Sequence, residues 1–402
     1  MIKNIKLLIL CFFLIFGFSC ENDSLDINSL ILDENETEVI SSINKLGFSL
    51  LKGFDSDNTN ISIPSLCASV SLTTFYNGCN ENTKYEISNL LGLANLDTDE
   101  INNSYKKILE SFAANETSTR LQYKNSLWID DNIDLNITYS NLSKFFFNTD
   151  IKNINFDNNV KDSINNWVMI NSRSNIFNDF EDTVIEDDQV VFVNVLYYNL
   201  SWEHNFSNSY DASFYLSDES TIQTKYLNTT GTFDYLSLED MEIVSIPSDN
   251  KNYDVVIILP KQNKTISDIL ANLNTSNWMT WNSKFKHQEI NLSIPFLDTE
   301  YSTNLTGLLE SIGLSNIFEQ NNFSAFSNDI DNLYSTIFSS SKVIFSDAKA
   351  ISINSNDITA HFNTSETFSF CVNKPFFYAI KENSSNCIIT NGLVYTPQNT
   401  IN

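Results

Sequence analysis

At 402 residues, 42% hydrophobic and with 30 Phe, the chain can bury a sizeable core, as one large domain or as two. Its formal net charge of −27 repels nucleic acid and anionic lipid, and the acids are spread along the chain rather than blocked, so the charge serves solubility.

The N-terminus reads as targeting, not fold. Met1 to Ser19 carries Lys3 and Lys6 ahead of an apolar run from Leu7 to Phe18, too short and wrongly flanked for a membrane span, and reads as a secretory signal. The small residues before Cys20 resemble a bacterial lipoprotein box, although Gly17 stands where that box carries Leu; Glu21 and Asp23 resemble a surface-export tag. The expectation is lipid attachment at Cys20 once residues 1–19 are removed, with an ordinary cleaved signal as the alternative. Residues 20–36 then form an acidic tether, and 37–402 the folded domain. The implied location is the cell envelope, as an outer-membrane lipoprotein, or the exterior, and the membrane is touched only through the lipid.

From Thr37 the pattern turns helical, with Val39, Ile43, Leu46 and Leu50 on one face. Ile61-Ser62-Ile63-Pro64-Ser65 leads into a second helix that stops at Asn77-Gly78; a third runs from near Thr83 to Gly92, and a fourth over 99–113. Tyr123 to Ile129 is strand-like, and 142–147 and 160–171 are helical. Gln189 to Tyr198, QVVFVNVLYY, is the best candidate for a central buried strand, and Asn194 within it is an amide that needs partners. Strands follow at 222–227, 242–246 and 253–259, a helix at 265–273, a strand at 288–296 and a helix at 303–312 closed by Gly313. The last strands are expected at 343–354, 375–380 and 387–395. Helices first and strands afterwards predict one α+β domain.

At the end of the 343–354 stretch Ile351 and Ile353 alternate with polar residues; Ser355-Asn356-Asp357 then makes a turn, and alternation resumes with Ile358, Ala360 and Phe362 against Thr359, His361 and Asn363. The polar run Asn363–Thr367 follows, as a loop displayed near the C-terminus. Catalytic motifs are missing: the sequence has no G-x-S-x-G, H-E-x-x-H, P-loop or G-x-G-x-x-G, and its three histidines, 204, 287 and 361, read as structural or solvated. No enzyme, metal or cofactor is expected. Cys67, Cys79, Cys371 and Cys387 lie outside the signal; export permits disulfides, the spacing fits no zinc pattern, and no pairing is assigned.

Seven segments in order now point to a family. Asn125-Ser126-Leu127-Trp128, Ile164-Asn165-Asn166-Trp167-Val168, Val193 to Tyr198 with Trp202 and Phe206, Ile258-Leu259-Pro260, Leu305 to Phe318 with Gly313, Asn373-Lys374-Pro375-Phe376, and Gly392 to Pro397 resemble the motifs of a serpin over nearly all of residues 40–398. The resemblance implies three sheets, about nine helices and a reactive loop ahead of the last strands, on a monomer whose partner is a protease of the serine or cysteine class. In inhibitory serpins the protease attacks the loop and forms an acyl-enzyme, and the cut loop enters the main sheet as a new strand. The resemblance puts Ser65, Asn194 and Trp202 in the region where that sheet opens.

The hinge departs from the family pattern. Ser355, Asn356, Asp357, Ile358, Thr359, Ala360, His361, Phe362, Asn363 and Thr364 align with it, but only Ala360 and Thr364 agree; Asp357 replaces a Gly, and Phe362 sits where a small residue is expected. Overpacking at such a site costs about 1–3 kcal/mol. The reactive loop, about 355–371, is also short. Spacing brackets the scissile bond within Thr364–Cys371, with Phe368 the named candidate. Either this segment is a working hinge, or Ile358-Ala360-Phe362 already lies in a sheet and no insertion follows.

Overall fold

The computed structural model describes residues 32–54, 58–114, 120–156, 160–172, 189–199, 202–206, 208–249, 251–314, 323, 325–327, 335–345 and 368–397. In chain order its elements are α1 Glu34–Gly53, β1 Ile61–Ile63, α2 Ser65–Tyr76, α3 Glu81–Leu91, α4 Thr98–Ala114, β2 Arg120–Asp130, α5 Ile137–Phe147, β3 Thr149–Ile154, α6 Val160–Asn171 and β4 Val190–Asn199. There follow β5 Asn208–Tyr215, β6 Thr221–Ser237, β7 Met241–Pro247, β8 Tyr253–Pro260, α7 Ile266–Asn272, α8 Thr275–Lys284, β9 Lys286–Pro295 and β10 Leu297–Asn304. The remainder are α9 Leu305–Leu309, β11 Ser335–Phe345, β12 Phe368–Cys371, β13 Phe376–Glu382 and β14 Ile388–Val394. A π-turn, Glu310–Leu314, continues α9, and Gly313 at φ 107° closes it.

Two hydrogen-bonded sheets organise these strands. One has five strands in the order β10-β11-β4-β2-β3, and the other nine, β1-β14-β13-β8-β7-β6-β9-β12 with β5 on β6. The resemblance implied three sheets. Two of those layers share β6, whose 17 residues pair with β5 and β9 along most of their length and with β7 at the end, so the backbone ladder runs through both.

α2 is the centre of the core. Every residue from Ser65 to Tyr76 is buried, so its hydroxyls must be satisfied internally: Thr73 and Thr74 donate back to the carbonyls of Ser69 and Val70 at 2.8 Å, and Ser69 pairs with the Tyr105 hydroxyl at 2.5 Å. The main cluster takes in α1, α2, α4 and both sheets. A second cluster forms on the far face of the five-stranded sheet, where α6 brings Ile164, Trp167 and Val168 against Trp128, Val191, Val193 and Val195.

Most expected elements are present with shifted bounds. The folded domain begins before residue 37: Asp33 caps α1, exchanging hydrogen bonds with Glu36 in a capping box, so the end of the expected 20–36 tether is structured. The expected 222–227 strand runs on to Ser237. Of the strand expected at 343–354, residues 343–345 close β11, which starts earlier at Ser335, and 346–354 lie outside the described residues. β1, β3, β5, α8, β10 and β12 had no counterpart in the sequence reading. Cys67, Cys79, Cys371 and Cys387 are all free thiols, the first two and Cys387 buried.

Candidate functional site

The site follows from how β4 and β11 meet. They are neighbours in the middle of the five-stranded sheet and run parallel, in register from Ser335↔Val190 to Lys342↔Tyr197. Their outer neighbours β2 and β10 are antiparallel to them. Parallel pairing is slightly the weaker per residue. A chain leaving the end of β11 and folding back would run antiparallel to both strands and replace one parallel ladder with two antiparallel ones. Residues 346–367 leave β11 at that end and lead to β12 on the other sheet.

β4 is buried on both faces because its sequence is apolar on both parities. Val191, Val193 and Val195 face α6, while Val190, Phe192 and Leu196 join the main core, where Phe192 meets Phe75 of α2 edge to face at 5.8 Å. Asn194 therefore puts an amide into the core, fully buried. It donates to Ser71 Oγ on α2 at 2.7 Å and to Asn125 Oδ1 on β2 at 2.9 Å, and Asn125 passes a hydrogen bond to Thr149 Oγ1 on β3 at 3.0 Å. The backbone registers Ser339↔Asn194, Asn194↔Asn125 and Asn125↔Thr149 set these positions in one row across the sheet. Asn194 Oδ1 has no hydrogen-bond partner among the described residues, an acceptor left open beside the β4–β11 seam.

The three residues expected at the opening region lie in three places. Asn194 is at the seam. Trp202 is past the end of β4, bridged to Ser248 and packed on Phe206 at 5.4 Å, so it holds the chain leaving β4 onto the nine-stranded sheet. Ser65 opens α2, pressed against Gly47, and accepts from Asn391 Nδ2 at 3.3 Å; it ties α2 to α1 and β14. The α2 residue that reaches Asn194 is Ser71, nearly two turns further on. Ser71 and Asn125 were both missed as partners of Asn194; for Asn125 a polar residue in a strand-like stretch was the available signal, whereas Ser71 is one of several hydroxyl residues in α2.

The loop's far end is fixed by β12. Phe368–Cys371 pairs in parallel with Ile290–Ser293 of β9. Phe370 points inward at 3% exposure, and Phe368 lies outward with its ring 5.1 Å from that of Tyr235. Phe368, the named candidate for the scissile position, is thus a strand residue. Cys371 lies on the outer face, and partial desolvation raises its thiol above the usual value while the Tyr210 hydroxyl opposes that shift. The expected hinge and loop residues Ser355 to Thr364, and Cys20, lie outside the described residues. Among the described residues there is no cluster that could hold a metal ion, and no helix long and apolar enough to cross a membrane.

The fold defines a mixed single-chain scaffold built around a parallel β4–β11 seam, and comparison with known proteins gives it its family. The family model described as Serpin (serine protease inhibitor) matches residues 41–397, and the chain belongs to that family, whose members are generally protease inhibitors. It is 23% identical over 379 residues to a serpin-like protein of Thermococcus kodakarensis, covering 92% of this chain and 88% of that one. It is 24% identical over 316 residues to serpin B4 of Homo sapiens, covering 74% and 80%. Among solved structures it is similar to the thermophilic serpin tengpin in its native state, with a TM-score of 0.82 and 22% identity over 91% of this chain and 95% of that one. It is also similar to thyroxine-binding globulin solved in complex with thyroxine, with a TM-score of 0.80 and 19% identity over 89% and 99%.

Proposed function

We propose that this chain is an exported inhibitor, tethered through Cys20, that offers the segment from Ser355 to Thr367 as bait to an extracellular serine or cysteine endopeptidase. The observation that carries the reading is the parallel β4–β11 pair: β11 ends at Phe345, and the chain from 346 to 367 that holds this segment joins it to β12. The protease nucleophile attacks a loop carbonyl and forms an acyl-enzyme. The freed upstream end then folds back between β4 and β11, gaining antiparallel ladders on both sides, and carries the bound protease with it. Pairing of Phe368–Cys371 with β9 favours a scissile bond upstream of Phe368, between Thr364 and Phe368.

A second reading is a serpin-fold binding or structural lipoprotein that does not insert its loop. It is favoured by the covering of β4 on both faces together with Asp357 and Phe362 in the hinge, because a bulky side chain entering the sheet meets packed atoms on either side. One experiment separates the two. The soluble domain is incubated with chymotrypsin-like and elastase-like proteases, run on a denaturing gel, and melted before and after loop cleavage. A covalent complex and a higher Tm after cleavage support inhibition by insertion. Cleavage with neither supports the second reading.

A further inference from the structure

Away from the seam, one face of the β5-β6-β9-β12 ladder sets uncharged hydrogen-bonding groups beside an exposed aromatic ring. We propose that this face binds a neutral oligosaccharide, stacked on Tyr210 and gripped by the amides of Asn228 and Asn291. Register partners in a sheet share a face. Tyr210 pairs with Tyr226, Asn228 with Ser293, and Thr230 with Asn291; on β12, Ser369 pairs with Asn291 and Cys371 with Ser293. No charged residue stands on this face between Tyr210 and Thr230; the first is Glu289, the register partner of Thr232. In a chain with 50 acids and 23 basic residues, such a stretch matches a ligand without charge. The reading does not depend on loop insertion.

The ring of Tyr210 is fixed in place. It stacks on Tyr226 at 5.6 Å and 17°, and its hydroxyl donates to Ser293 Oγ at 2.9 Å, yet the residue is 40% exposed. The C–H face of a pyranose is apolar and weakly positive, and it suits the negative face of such a ring. The amides supply the polar half. Asn228 Nδ2 donates to the Leu292 carbonyl at 3.1 Å, to Ser293 Oγ at 2.9 Å and to Asn291 Oδ1 at 2.8 Å. A carbonyl only accepts, so the Leu292 contact fixes the orientation of both amides. Asn228 Oδ1 and Asn291 Nδ2 then have no hydrogen-bond partner among the described residues, and neither is a buried orphan, so both reach solvent. They form an acceptor and a donor side by side, the complement of two adjacent sugar hydroxyls. Thr230 and Ser369, both exposed, flank Asn291 in its row. Two inter-strand steps make that row about 10 Å long, which suits linked pyranose rings rather than one.

The test titrates the protein by calorimetry with cellotetraose and, separately, chitotetraose, with a sulfated heparin tetrasaccharide as the charged control. Saturable binding of at least one neutral sugar with a Kd at or below about 1 mM is expected. The sulfated sugar should bind more weakly, because the net charge of −27 repels it. Tyr210→Ala should weaken the neutral sugar by about tenfold, and Tyr210→Phe, which keeps the ring, by less than about twofold. Asn291→Asp keeps an acceptor for Asn228 but loses the open donor, and should weaken binding by about fivefold. Melting curves verify the fold, and Asn291→Asp reads the amide pair separately from any loss of packing at Tyr210. The proposal is overturned if neither neutral sugar saturates, if the sulfated sugar binds as tightly, or if Tyr210→Ala and Asn291→Asp both bind like the parent protein.

Discussion

Asn194 and Asn125 face each other across the β2–β4 ladder as a register pair and are joined side chain to side chain at 2.9 Å. Asn194 spends its second amide hydrogen on Ser71, so one side chain links a core helix to the middle of the sheet. Truncating it strands two buried groups at once, each costing about 1–3 kcal/mol when left unsatisfied. Asn194→Ala is expected to lower the urea-denaturation stability by about 2–4 kcal/mol. Ser71→Ala, which removes only one partner, should cost less. Equal stability in Asn194→Ala and the parent protein would mean that the row carries nothing.

Glycines offer a contrast between two positions. Gly392 on β14 pairs with Ser62 on one side and Tyr378 on the other. A Cβ there would stand 2.3 Å from the Ile61 carbonyl oxygen and 2.6 Å from Tyr378 Cε1, so backbone must move. Gly392→Ala should destabilise by about 1–3 kcal/mol, the usual cost of overpacking. Gly307, in α9, meets nothing within 4 Å. Gly307→Ala should be neutral or stabilising by up to about 1 kcal/mol, since Ala is the better helix former. Paired thermal melts of the two variants check both signs.

Where the sequence was legible, one physical signal dominated. The apolar density of β4, the period of α1, and the Gly92 and Gly313 stops all translated into structure. β10 was hard to read because LDTEYSTN alternates only weakly, with Leu297 and Tyr301 its sole apolar residues, and its strand state comes with pairing to β11. β6 was read as ending near residue 227, ahead of the polar run Asn228-Thr229-Thr230-Gly231. Asn228 instead satisfies its amide on Asn291, Leu292 and Ser293 of β9, and Gly231 lies where His204 leaves no room for a Cβ. In the site, Asn194 could be picked out as a polar residue in an apolar strand. Ser71 could not, since α2 holds several hydroxyl residues and only the packing selects the one facing β4.

Acid should loosen the start of the fold through Asp33. Its carboxyl accepts from the Glu36 side and from Lys107 of α4, and these contacts lower it to about 2 from an ordinary 3.8. A carboxyl lowered in the folded state contributes stability above its unfolded value, and that contribution is lost as pH falls from about 4 through about 2. Asp33→Asn should leave α1 less stable at pH 7 and remove the part of the acid dependence that belongs to this cap. Hydrogen exchange of the first-turn amides of α1 at pH 7 and pH 3 measures it. The wild type should lose protection between the two, and the variant should change little.

The hinge substitutions give the sharpest prediction about insertion. A strand entering between β4 and β11 meets the main core on one face and α6 with its cluster on the other. Phe362 shares parity with Ile358 and Ala360, so if the segment enters as a strand, all three point to the same face. A Phe where a small residue fits costs about 1–3 kcal/mol, and Asp357 would carry a charge toward the top of the sheet. If the proposed mechanism operates, Phe362→Ala with Asp357→Gly should insert more readily. The rise in Tm on loop cleavage should be larger in the variant than in the parent protein, and the covalent complex with a cognate protease more abundant relative to cleaved product. If the loop has no access to the seam, neither quantity changes, and the non-inhibitory reading stands.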